Sequence, residues 1–210
     1  MKNSICVLVS GGLDSCALVA AMAQRYRQVY PVFVRQGLRW EVAELRALRR
    51  FLQATHLPAP TVLDLPARDL YGRHWSVTGK GTPGAESRDE AVYLPGRNLL
   101  LLSKAAVFCA QHGIGTMAVG SLAGNPFPDA TPRFFRAFAR LSGIRVIAPF
   151  RQLTKEQVIR RYRHLPLHLS FSCLAPVRGR HCGRCNKCAE RRRAFRELGI
   201  RDQTRYAAGT

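Results

Sequence analysis

Six residues near the start of the chain have the types and spacing to do chemistry: Ser10, Gly11, Gly12, Leu13, Asp14 and Ser15. They follow a continuous apolar run, Ile5 to Val9, and lead into an Ala- and Leu-rich stretch from Asp14 to Arg25. The order reads strand, tight turn, helix. Adjacent glycines let the backbone turn sharply and approach a ligand closely. The serines add hydroxyl donors, and a helix N-terminus directs partial positive charge at an anion. Such a loop is built to cradle a pyrophosphate. No Gly-Lys-Ser/Thr closes it, so it is not a Walker loop, and its adjacent glycines do not fit the dinucleotide fingerprint. An acid in an anion site calls for a cation, so Asp14 is expected to favour Mg²⁺ bridged to phosphate oxygens.

The second signal is Cys173, Cys182, Cys185 and Cys188, spaced C-x8-C-x2-C-x2-C. Two-residue gaps let thiolates converge on one ion, and four thiolates complete a tetrahedral Zn²⁺ site with no open position, which points to a structural role. Gly183 gives the first gap its freedom, and Arg180, His181, Arg184 and Lys187 should lower the thiol pKa values. An iron–sulfur cluster is an alternative. However, ferredoxin-type runs place the fourth Cys three residues downstream and follow it with Pro, whereas Ala189 and Glu190 follow here. A redox-active pair is the other alternative. Cys6, Cys16 and Cys109 lie in apolar contexts and are expected in the core.

Regular elements must hold these groups. Strands are expected at Ile5–Val9, Val29–Val34, Pro60–Leu65, Thr116–Gly120 and Ile144–Ala148. Helices are expected at Asp14–Arg25, Trp40–Thr55, Leu99–Gln111, Pro132–Leu141 behind an N-cap at Thr131, and from a capping box at Thr154–Gln157 to about Tyr162. Residues 72–91 show no apolar period and read as a long loop. The alternation predicts an α/β fold: a five-stranded, mainly parallel, Rossmann-like sheet with helices on both faces. Residues 1–164 form this domain, and residues 165–210 add a zinc-binding segment packed on it.

Lys and Arg number 33 against 13 Asp and Glu, a net charge of +20, and 28 of the basic residues are arginine. A surface so basic attracts RNA or anionic small substrates. No run of about 18 apolar residues exists, which excludes a membrane-spanning helix. The first apolar run is too short for a signal peptide. With an odd count of 7 cysteines, a cytoplasmic location is expected.

The Ser10–Ser15 loop resembles that of the ATP pyrophosphatases, which adenylate a substrate oxygen. Further along come Tyr93-Leu94-Pro95-Gly96-Arg97-Asn98, Asn125-Pro126-Phe127-Pro128-Asp129, Thr131-Pro132-Arg133-Phe134-Phe135 and Ser172-Cys173. His181-Cys182-Gly183-Arg184-Cys185-Asn186-Lys187-Cys188 follows, with Glu190, Arg191, Arg192 and Phe195 behind it. This order over residues 5 to 195 resembles the 7-cyano-7-deazaguanine synthase family. The resemblance implies that 7-carboxy-7-deazaguanine, ammonia and ATP become the nitrile with release of AMP and pyrophosphate. It also implies a homodimer. The family's Tyr-x-Gln-Arg-His-type element is altered here to Val34-Arg35-Gln36-Gly37-Leu38-Arg39-Trp40-Glu41, and Leu174 stands where the family often has Tyr.

Roles follow. Ser10 to Ser15 should hold pyrophosphate, with Asp14 favouring Mg²⁺. Lys155, at a helix start, is a candidate phosphate contact. Arg97 should neutralise phosphate or substrate carboxylate charge, and Asn98 either caps its helix or meets the substrate. Phe127 should stack on a purine-like ring and Asp129 hydrogen-bond it, with Phe171 as a further wall or a core residue. The alternative reading is a tRNA-modifying pyrophosphatase, of thiolation or lysidine type, or a ligase for a different carboxylate.

Overall fold

A computed structural model describes residues 2–207. Met1 and residues 208–210, the outer ends of the two expected segments, lie outside the described residues. Five strands form one sheet: β1 (Lys2–Leu8), β2 (Tyr26–Arg35), β3 (Thr61–Asp64), β4 (Thr116–Ala118) and β5 (Arg145–Ile147). Their order is β3-β2-β1-β4-β5, and every pairing is parallel. Register runs Ile5 to Val29, Cys6 to Tyr30 and to Met117, and Val32 to Thr61.

Eight α-helices accompany it among the described residues: α1 (Leu13–Ala23), α2 (Glu41–Ala54), α3 (Arg68–Tyr71), α4 (Trp75–Thr78), α5 (Arg97–Gln111), α6 (Pro132–Ser142), α7 (Lys155–Arg161) and α8 (Asn186–Glu197). Successive strand residues point to opposite faces. Ile5, Val7 and Val9 therefore pack with Leu18, Leu48, Phe51, Val158 and Phe195 from α1, α2, α7 and α8. Cys6 packs on the other face with Leu102, Cys109, Phe135 and Phe138 from α5 and α6. The sheet is thus covered on both sides, as a parallel sheet requires. Cys6, Cys16 and Cys109 are all fully buried.

The sequence expectations differ from the structure in three places. Residues 72–91 are not structureless: α4 and a 3₁₀ turn at Asp89–Val92 shape them. Cys185 pairs with Gly84, the Asn186 backbone N–H donates to the Pro83 carbonyl, and Asn186 Nδ2 donates to the Ser87 carbonyl, which pins this segment to the cysteine cluster. Helix α8 replaces what reads as irregular Cys-rich chain. Its buried set is Asn186, Cys188, Arg191, Ala194 and Phe195. The spacing is helical, but a cysteine and an arginine hide the apolar stripe. Finally, α5 begins at Arg97 behind Gly96 (φ 70°), so Asn98 lies in the first turn and is not the N-cap.

A third cluster covers the carboxyl end of the sheet: Leu38, Trp40, Val92, Leu94, Phe171, Leu174 and the four cysteines. Arg191 fastens it. It is 2 % exposed and donates to Thr204 Oγ1 (2.8 Å), Ser170 Oγ (2.9 Å) and the Leu167 carbonyl (2.9 Å).

Candidate active site

The loop after β1 holds its shape with its own serines. Gly12 N–H donates to Ser10 Oγ (3.2 Å), Ser10 N–H donates to Ser15 Oγ (3.2 Å), and Ser15 Oγ–H donates to the Gly12 carbonyl (3.0 Å). Gly11 sits at φ +80°, and a Cβ there would lie 2.5 Å from the Glu44 carbonyl oxygen. Only glycine allows both the turn and the close approach of α2. No side chain caps α1, so its first-turn N–H groups remain available to an anion. A Cβ on Gly120, after β4, would lie 3.6 Å from Ser15 N. The loop thus lies where the chain leaves β1 between its two neighbours, the switch point at which open α/β sheets bind ligands.

Above it opens a cavity of about 520 Å³. Its walls include Ser10, Gly12 to Ser15, Glu44, Arg97, Asn98, Phe127, Lys155, Phe171, Lys187 and Glu190. Charges alternate along one side. Lys155 Nζ lies 2.6 Å from Asp14 Oδ2 and 3.2 Å from Glu190 Oε1, and Lys187 Nζ lies 2.9 Å from Glu190 Oε2. Burial opposes the Lys155 charge, but Asp14 and Glu190 outweigh it and hold its pKa above the ordinary lysine value. Burial also opposes the Glu190 charge, and the two lysines overcome it, leaving its pKa at about 2. Asp14 Oδ1 is buried without a hydrogen-bond partner. One oxygen of Asp14 therefore anchors a lysine while the other is left for a cation, which fits Mg²⁺ chemistry.

Arg97, Asn98 and Phe127 join this cavity, whereas Asp129 is not among its lining residues. The Asp129 carboxylate accepts from Asn98 N–H (3.0 Å, Oδ2) and Asn98 Nδ2 (3.2 Å, Oδ1). It thereby supplies an acid to the N-terminus of α5 from a distant segment and fixes Asn98. Phe127 stacks on Tyr93, with ring centroids 5.2 Å apart. Phe171 is buried against His181, and its N–H bonds the Gly11 carbonyl at 2.7 Å, so the wall and the phosphate loop are tied together.

The four cysteine sulfurs are buried and lie within 4.8 Å of one another. Two pairs, Cys182–Cys188 and Cys173–Cys185, stand 4.0 Å apart. A tetrahedron of sulfurs has edges of about 3.8 Å for metal–sulfur bonds of about 2.3 Å. The spacing therefore fits one metal ion shared by all four. Amide N–H groups of Leu174, Cys182 and Cys185 donate to these sulfurs at 3.2–3.4 Å, which favours thiolates. His181 accepts from Ser172 N–H through Nε2 (3.0 Å), and burial together with Arg191 lowers its pKa to about 3, so it stays neutral.

Two cavity residues escape sequence reading. Glu190 arrives on α8, an element without a visible apolar stripe. Glu44 shares the buried face of α2 with Glu41, Leu48 and Phe51. A signal exists there, since both acids fall in register with the apolar stripe of an amphipathic helix.

A 7-cyano-7-deazaguanine synthase of Anaeromyxobacter dehalogenans (strain 2CP-C) is 32% identical over 222 residues, covering 96% of this chain and 94% of the relative. One from Methanothermobacter thermautotrophicus is 33% identical over 219 residues, covering 95% and 97%. Among solved structures, the U34-tRNA thiolase NcsA from Methanococcus maripaludis, with its [4Fe-4S] cluster, superposes with a TM-score of 0.55 at 12% identity. That match covers 100% of this chain and 76% of the thiolase, and at such identity the likeness is one of fold. The family model described as "Queuosine biosynthesis protein QueC" matches residues 4–199, and the chain belongs to that family.

Proposed function

We propose that the chain converts 7-carboxy-7-deazaguanine, ammonia and ATP into 7-cyano-7-deazaguanine. One observation carries this reading: in a chain of this family, a single cavity joins an anion-binding loop, a lysine at a helix start and an aromatic-walled end.

The chemistry has a clear need. A carboxylate has no usable leaving group. Its oxygen attacks the α-phosphate of ATP and pyrophosphate departs. Ammonia then adds to the acyl carbon, AMP leaves with the carboxyl oxygen, and the surplus proton passes to solvent. The amide oxygen attacks the α-phosphate of a second ATP, and pyrophosphate again departs. Loss of the two remaining N–H protons and departure of AMP leave the nitrile. Both adenylations are displacements at one phosphorus, so one cradle can serve both.

Ser10, Gly11, Gly12, Leu13 and Ser15 hold the leaving pyrophosphate with backbone and hydroxyl donors. Lys155 adds positive charge where negative charge accumulates. Asp14 fixes Lys155 through one oxygen, and the other would hold Mg²⁺, which supplies charge neutralisation on the phosphates. Arg97, Asn98 and Phe127 receive the heterocycle, with Asp129 positioning Asn98. Cys173, Cys182, Cys185 and Cys188 hold one structural Zn²⁺. In this reading residues 1–164 carry the adenylation chemistry and residues 165–210 form its zinc-stabilised cover. The reading also takes a homodimer and a cytoplasmic setting.

The net charge of +20 favours a second reading, a pyrophosphatase acting on RNA. Product analysis separates the two. Incubation with ATP, ammonium and the carboxy-deazaguanine should give the nitrile. Modification of tRNA without nitrile formation would select the second reading.

A further inference from the structure

Where α2 and α5 begin, polar atoms that the adenylation steps do not use gather beside the cavity. Glu44 lines that cavity and is 8 % exposed. Its carboxyl makes no hydrogen bond or ion pair among the described residues. Glu41, one turn earlier, is different: its two oxygens accept from Gln36 N–H (2.8 Å) and Gly37 N–H (2.7 Å). Gln36 is wholly buried. Its Oε1 accepts from Arg97 Nε (3.1 Å), and its Nε2 is left without an acceptor. That is the one hydrogen bond of the Arg97 side chain among the described residues, so neither Nη group has a partner there.

Buried polar groups left unpaired cost about 1–3 kcal/mol each, so a cluster of them beside a cavity marks a place prepared for a ligand. The arrangement has a polarity. Of the two groups that line the cavity, the Arg97 guanidinium donates and the Glu44 carboxylate accepts. Arg97 is close enough for its charge to act on Glu44, yet the two form no ion pair. Both side chains line the cavity, so a group bound there can meet both. Trp40, stacked on Trp75 at 5.6 Å, and Phe171 line the same cavity and suit a flat ring.

We propose that Glu44 and Arg97 form the subsite that reads the polar edge of a 2-amino-6-oxo heterocycle, with Gln36 holding Arg97 from behind. Glu44 accepts from the ring N–H and the exocyclic amino group, and Arg97 donates to the oxo oxygen beside them. This deepens the function proposed above and rests on it. Desolvation, opposed by Arg97 and aided by Glu41, pushes the Glu44 carboxyl up to about 8. Two ligand N–H donors would restore its charge.

The test compares binding of 7-carboxy-7-deazaguanine and its 2-deamino analogue to the wild type and to Glu44→Gln, by calorimetry. A site built to accept from an amino group rejects a ligand lacking it, because the acceptor is left buried and unpaired. The wild type should bind the deamino analogue at least about 10-fold more weakly, and Glu44→Gln should discriminate by less than about 3-fold. ATP affinity should be unchanged in the variant. Equal binding of both acids by the wild type, or full discrimination retained by Glu44→Gln, overturns the assignment. Should Glu44→Gln prove insoluble, Arg97→Met with an analogue lacking the oxo group is read in the same way. A wild type that makes the nitrile but does not discriminate loses this subsite alone. A wild type that binds neither acid loses the functional reading as well.

Discussion

Lys155 Nζ lies 2.6 Å from Asp14 Oδ2, although 141 residues separate them in sequence. The contact joins the helix after β1 to the helix after β5. It places a cation beside the phosphate loop without any local motif to announce it. Both side chains are largely buried, at 14 % and 21 % exposed, so neither charge is well solvated without the other.

Two variants separate the fold from the chemistry of this pair. Lys155→Met leaves Asp14 and Glu190 as buried acids without their shared cation and should destabilise the protein by about 3–5 kcal/mol. Asp14→Asn keeps the shape, and Lys155 keeps Glu190, so denaturant unfolding should shift far less. Adenylation should be lost in both. An Asp14→Asn protein that releases AMP at the wild-type rate would remove Asp14 from the mechanism.

Gly11→Ala should harm the loop in two ways. An L-residue at φ +80° carries backbone strain of about 1–2 kcal/mol, and the new methyl group meets the Glu44 carbonyl. Pyrophosphate release should fall, and the melting temperature should drop by several degrees. An unchanged melting temperature would show that α2 can withdraw.

The cysteine cluster should contain one zinc per chain, measured by elemental analysis. Four buried thiolates repel one another without an ion, so chelation at elevated temperature or Cys185→Ser should give unfolded or aggregated protein. Stoichiometric iron with visible absorbance would replace zinc by a cluster.

Glu44 sets a pH dependence of stability. Its folded pKa, about 8, is above the usual 4.5. The folded state therefore binds the proton more tightly than the unfolded state. No penalty exists below pH 4.5; it grows as pH rises and is complete above pH 8. The full difference is about 5 kcal/mol as an upper bound. Glu44→Gln should match the wild type in thermal stability at pH 5 and exceed it at pH 9. Equal melting temperatures at both values would mean that Glu44 ionises without cost.

The parallel sheet and both motif clusters could be read from the chain because each is local. Ile5–Val9 ends in two glycines, and three of the four cysteines fall within seven residues. What escaped depends on distant partners. The acid that serves the start of α5 is Asp129, 31 residues away. Helix α8 buries an arginine and a cysteine where a stripe of leucines would have revealed it. Glu44 looks like any acid of an amphipathic helix until its burial without a partner is seen.

The central claim is tested most directly by mass spectrometry of products. Wild-type protein is incubated with ATP, ammonium and 7-carboxy-7-deazaguanine. The expected product is 7-cyano-7-deazaguanine, with two AMP and two pyrophosphate released per nitrile formed. Unchanged carboxylic acid at saturating ammonium, with no AMP release above that seen without the acid, would contradict it.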